Sequence, residues 1–185
     1  MSTDVYIGSP LRWLEPMRAA MPFLFFAAIA LIGAAIHVHR DSQPHSAGRT
    51  IEIFLVWWMV VGFGISCILG AMLHLFDGPD MAREIGYTNG DGGFQTEVGF
   101  GDLAIGVLGV LCARFRDGFL LAAVIALSIS YLGDAYGHIH QAAVHDNHDP
   151  DNTGLLLWAD FITPLVAIGL YVASRSPAGQ TRPCA

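Results

Sequence analysis

The sequence predicts an all-α integral membrane bundle of about five transmembrane helices. Three observations carry this. Hydrophobic residues make up 54% of the 185 positions and charged residues only 14%. Mean hydropathy is positive, far from the soluble globular average. The apolar residues gather into five runs, each close to the roughly 20 residues that a bilayer-crossing helix needs. The expected organisation is an interfacial segment over 1–18, a single transmembrane domain over 19–174 and a cytoplasmic tail over 175–185. No separate soluble domain fits.

The first 18 residues set Trp13, Leu14 and Met17 beside Arg12 and Arg18, a composition suited to a short interfacial helix. They lack the n-region, short apolar core and small-residue cleavage site of a signal peptide, so the first span, roughly 19–38, is expected to stay in the protein. The second span, roughly 53–75, carries a small-residue row, Gly62, Ser66 and Gly70, whose next step is His74. The third, roughly 95–113, follows the turn cluster TNGDGG, which is no P-loop because it lacks the lysine. It holds Glu97 and Asp102, which five residues place about 140° apart around a helix, so the two cannot face one point. In the fourth, roughly 119–139, the row Ala122, Ala126, Ser130, Asp134 and His138 repeats every four residues, which predicts that Asp134 and His138 face protein. The fifth, roughly 155–173, holds Asp160 near its start, too deep to be a cap. No internal repeat of the kind found in many secondary transporters is present.

All nine basic residues are arginine. Five spans place Arg40, Arg49, Arg114, Arg116, Arg175 and Arg182 on one side and Arg12, Arg18 and Arg83 on the other. By the positive-inside rule the N-terminus is outside and the C-terminus cytoplasmic. The acids Asp77, Asp80, Glu84, Asp91, Asp146, Asp149 and Asp151 then fall on the outer side. Their field attracts cations and argues against nucleic acid as a partner. Cys67, Cys112 and Cys184 have no oxidising-side partner, so no disulfide is expected.

One pattern cuts across the spans. His74, Glu97, Asp102, Asp134, His138 and Asp160 all fall in the outer halves of four different helices. At 1.5 Å per residue the three aspartates lie about 8–12 Å below the helix ends, with the others shallower. A single buried acid is explained by a structural hydrogen bond, and Glu97, in the first turn, by the helix macrodipole. Six such groups at one depth point instead to a polar site, since ionisable groups in a bilayer are costly. Carboxylates and imidazoles are ligands for a divalent metal ion, and the expected site is these six residues holding one. The same residues could bind protons. The loop HDNHDPDN, with His145 and His148 close to His140, offers more donors of the same types, although such loops are also simply soluble. Asp149, Asp151, Thr153, Gly154 and Asp160 match a calcium-loop spacing, but the pattern would end inside an apolar helix and lacks the final glutamate.

The stretch FQTEVGFGDLAIGVLGVL resembles a family of small bacterial multi-pass membrane proteins of unassigned function. Its pattern is an acid, then Gly-Phe, then Asn or Asp and Leu, matched by Glu97, Gly99, Phe100, Asp102 and Leu103. A later Gly-x-x-x-x-His is similar to Gly133–His138, and an acid in the last span to Asp160. The resemblance covers the last three or four spans and implies a bacterial inner-membrane location. It supplies no reaction, and the histidine-rich loop is outside its pattern. The functional expectation is an outward-facing carboxylate and histidine site for a divalent metal ion or protons. The alternative is an accessory subunit, as a homo-oligomer or within a larger membrane complex, whose polar groups lock helices together.

Overall fold

The computed structural model describes residues 15–44, 46–86 and 93–176. Among these residues every element is helical: α1 (Glu15–Arg40), α2 (Ala47–Trp57), a π-helical stretch (Trp58–Ile65), α3 (Ser66–Phe76), α4 (Gly78–Glu84), α5 (Gly93–Leu111), α6 (Gly118–His145), α7 (Pro150–Thr153) and α8 (Leu155–Arg175). Five stretches are long and apolar enough to cross a bilayer: Pro22–Arg40, Ala47–Phe76, Gly93–Leu111, Gly118–His145 and Pro150–Arg175. The fold is the expected all-α membrane bundle. Residues 1–14 of the expected interfacial segment, His45, Asp91 with most of TNGDGG, and the tail from 177, with Arg182 and Cys184, lie outside the described residues.

The bundle is apolar on both sides of its wall. Leu55, Met59, Phe63, Leu120 and Leu127 fill the centre, joined by Trp58, Cys67 and Cys112. Phe25, Ile32, Leu69, Ile129, Leu165 and Val172 point outward in the open, as side chains in contact with lipid do. Two halves can be distinguished. In one, α5 lies along α3 and the π stretch; in the other, α6 and α2 lie along α8, while α5 and α6 barely touch. The indole Nε1 of Trp58 donates to the Thr163 carbonyl at 3.1 Å and fastens the halves at mid-depth.

α2, the π stretch and α3 form one continuous rod, because the residues at both junctions keep right-handed helical angles. The wider turn of the π stretch is held by Ser66, whose hydroxyl donates to Gly62 O at 2.9 Å and Phe63 O at 2.8 Å. It also brings α5 to backbone contact. A Cβ on Gly64 would stand 2.7 Å from Val110 N, and one on Gly109 would stand 2.7 Å from Met59 O.

The expected small-residue rows need correction. In α3 the buried positions are Cys67 and Ala71, and nothing lies within 4 Å of where a Gly70 Cβ would be. In α6 the buried face is Leu120, Ala123, Val124, Leu127, Ser128, Ala135 and His138, whereas Ala122 and Asp134 are exposed. An i, i+4 row turns about 40° per step, so a row of five wraps from one side of a helix to the other.

One end of the bundle carries a cap. α6 runs on to His145, where Asp146 adopts left-handed angles (φ 54°) and ends the helix. Asn147 Nδ2 then donates to the Ile85 carbonyl at 2.8 Å, tying this turn to the end of α4. α7 begins at Pro150 and takes up the residues of the calcium-loop spacing, while Asp160 sits separately on α8.

Candidate intramembrane histidine and aspartate site

The polar residues sit beneath this cap in two matching contacts. Asn152, in α7, is fully buried. Its Nδ2 donates to the carbonyls of His138 at 3.1 Å and Asn147 at 2.8 Å, which uses both amide protons and fixes Oδ1 toward His138 Nδ1 at 2.8 Å. An amide oxygen only accepts, so Nδ1 carries the proton. His138 Nε2 then faces Asp160 Oδ2 at 3.7 Å, an ion-pair distance that is too long for a direct hydrogen bond.

The other half repeats the arrangement. His74 Nδ1 lies 2.6 Å from Gln95 Oε1, and His74 Nε2 lies 3.9 Å from Asp102 Oδ2. Gln95 is buried, and the Asp102 carbonyl accepts from Cys67 Sγ at 3.2 Å. Each half thus carries an amide, an imidazole and a carboxylate in series, with the Nε2 of the ring aimed at the acid.

Asp134 stands exposed on α6, one turn before His138. Tyr131, one turn earlier, lies edge-on to Phe63, with ring centroids 5.3 Å apart. On α8, Asp160 Oδ2 and Thr163 Oγ1 are buried without hydrogen-bond partners. Pro164, inside the helix, has no amide to offer the Asp160 carbonyl four residues earlier. Two side-chain oxygens, one turn apart on α8, therefore lack a protein partner.

Of the six expected site residues, His74, Asp102, His138 and Asp160 pair in these contacts, whereas Asp134 and Glu97 are exposed. Glu97 is exposed on the far face of α5, and Gln95 takes the inward place in that first turn. The row Gln95, Gly99, Asp102, Gly106 and Gly109, stepping by four and three, marks the inner face of α5. That alternation was the available signal for Gln95. Asn152 gave none, because its sequence context reads as a soluble loop.

The metal expectation has no assembled ligand shell. Among the described residues no group of three or more His, Cys, Asp or Glu side chains is placed to share an ion. Each contact supplies one imidazole and one carboxylate. At the end of α6 the His140 and His145 rings stand 5.8 Å apart, and in the turn beyond it His148 pairs with Asp146 at 3.2 Å in the open.

Fold and site together define a class: a five-helix membrane protein with paired histidine–aspartate contacts beneath a cap at one end. The chain matches a family of unknown function (DUF6790) over residues 20–180 and belongs to it. The match extends through the first span, beyond the part that carries the motif resemblance. No curated protein and no solved structure matches the chain.

Proposed function

We propose that the buried histidine–aspartate contacts bind and exchange protons at one face of the membrane, with the capped end outside. The observation that carries this reading is the fixed amide of Asn152. It keeps a proton on His138 Nδ1, so a neutral ring presents the Nε2 lone pair to the Asp160 carboxylate. Two acceptors facing each other in a low-dielectric interior repel, and one proton on either side turns repulsion into attraction. The contact is thus a one-proton site. His74 and Asp102 form a second. Protons are favoured over a divalent metal ion because each contact brings only two ligand groups together.

A pH titration of the purified protein, followed through the His138 ring signals in histidine-labelled protein, tests this. The His138 titration should move in Asp160→Asn, because ring and carboxylate share one proton. A His138 titration that is the same in wild type and Asp160→Asn rejects the reading. Metal analysis of the purified protein is the cross-check. Stoichiometric metal that is lost in His138→Ala and Asp134→Asn would transfer the site to the metal reading.

A second reading rests on the exposed surface of α6. Asp134 is exposed there, and nothing lies within 4 Å of a Cβ placed on Gly133 or Gly137. An acid facing lipid is costly, whereas a helix from a second copy or a larger complex would cover it. In that accessory role the protein co-purifies with its partner, and Gly133→Leu removes the association.

A further inference from the structure

The opposite end of the bundle gathers the arginines. A cleft of about 380 Å³ lies there, lined by His37 from α1, Arg49 and Glu52 from α2, Arg116 from the turn before α6, and Arg175 from the end of α8. Glu52 Oε1 lies 3.7 Å from Arg116 Nε, and its Oε2 lies 3.4 Å from Arg175 Nη2, so one carboxylate orients two guanidinium forks. The Tyr171 ring, 5.5 Å from Arg175 Cζ, supports the second fork. Arg49 Nε is bound to Asp41 at 2.7 Å. Three guanidiniums against two carboxylates leave the cluster net positive.

Two observations point to what it takes. Arg116 Nη1 is buried with no hydrogen-bond partner, a donor held inside the protein and not spent on Glu52. Trp57 Nε1 donates to His37 Nδ1 at 3.1 Å. An indole only donates, so Nδ1 is the acceptor and His37 carries its proton on Nε2. The cleft therefore offers donors from three directions: the Arg116 fork, the Arg175 fork and the His37 Nε2–H. A convergent, net positive set of donors recognises a tetrahedral oxyanion, and guanidinium forks match phosphate in a bidentate way. The volume exceeds that of a bare phosphate ion and lies in the range of small-molecule sites. Its place at the end of the helices is the level where lipid phosphates lie.

We propose that this cleft binds a phosphate group, carried by a lipid headgroup or free in solution. Purified protein in detergent is titrated with phosphatidylglycerol and, separately, with diacylglycerol, which lacks the phosphate, each read by native mass spectrometry. Inorganic phosphate is titrated against chloride and read by tryptophan emission. Retention of phosphatidylglycerol over diacylglycerol assigns the lipid source; a saturable response to inorganic phosphate assigns the free ion. Either affinity should fall at least tenfold in Arg116→Gln and stay unchanged in Arg83→Gln at the other end. Helical circular dichroism checks folding, and if Arg116→Gln does not fold, Arg175→Gln and Arg116→Lys take its place. No preference for either phosphate-bearing probe overturns the proposal. So does binding that survives in both folded Arg116 and Arg175 variants.

Discussion

Asn152→Leu is the most direct probe of the capped end. The wild-type side chain makes three hydrogen bonds at full burial, one of them to the His138 ring. Leucine is close in volume but offers neither donor nor acceptor. Leaving a buried polar group unsatisfied costs about 1–3 kcal/mol, so the Asn152 oxygen favours the Nδ1–H tautomer of His138 by about 5- to 150-fold. Without that oxygen, the ring proton moves to Nε2, the nitrogen that faces the negative Asp160 carboxylate. The assay is side-chain ¹H–¹⁵N correlation spectroscopy on histidine-labelled protein in micelles, with His138 assigned through His138→Ala. Wild-type His138 should carry a proton on Nδ1. Asn152→Leu should transfer it to Nε2 and leave His74 unchanged, because His74 leans on Gln95 instead. The two carbonyls left behind also destabilise the variant, by about 1–3 kcal/mol each at most, read as a lower melting temperature. A wild-type His138 protonated on Nε2 alone, or a ring unmoved by Asn152→Leu, would refute the reasoning.

Three further outcomes follow from the same contacts. Asp160→Asn replaces an unpartnered buried oxygen with an amide that can donate to His138 Nε2, so its melting temperature should equal or exceed wild type even as proton exchange is lost; a clear drop in melting temperature would contradict this assignment. Gly64→Ala drives a Cβ against the α5 backbone and should cost about 1–3 kcal/mol or more, whereas Gly70→Ala meets open space and should be neutral; equal melting temperatures for the two variants would remove the glycine crossing as a determinant of the fold. In intact cells, a cysteine replacing His148 should react with an impermeant thiol reagent and one replacing Ser42 only after lysis, in a background with Cys184 replaced; the reverse pattern would invert the membrane orientation.

Depth along the membrane was legible in the sequence, and direction around each helix was only partly so. A helix rises 1.5 Å per residue whatever its neighbours, so His74, Asp102, Asp134, His138 and Asp160 could be placed at one end by counting. The helices themselves were visible because apolar length is nearly sufficient to define a membrane span. Azimuth depends on neighbours and on phase. The row that led to Asp134 and His138 drifted across the helix surface, so one residue ended buried and the other exposed. Glu97 drew attention because it is charged, yet the uncharged Gln95 two positions earlier holds the histidine. The π stretch left no apolar-period signature, since every residue from Trp58 to Ile65 is apolar or glycine. Asn152 reads as loop filler until the turn at Asp146 brings α7 back over His138.

The π-helical stretch makes helix winding a variable that the site depends on. A π turn accommodates about one residue more than an α turn, so the same residues wound as continuous α-helix would turn everything beyond them by about 100° relative to α2. His74 would leave Asp102 and Gln95, and Cys67 would leave the Asp102 carbonyl, although no residue had been changed. The wide winding of residues 58 to 65 thus sets the angle at which the rod presents His74 to α5.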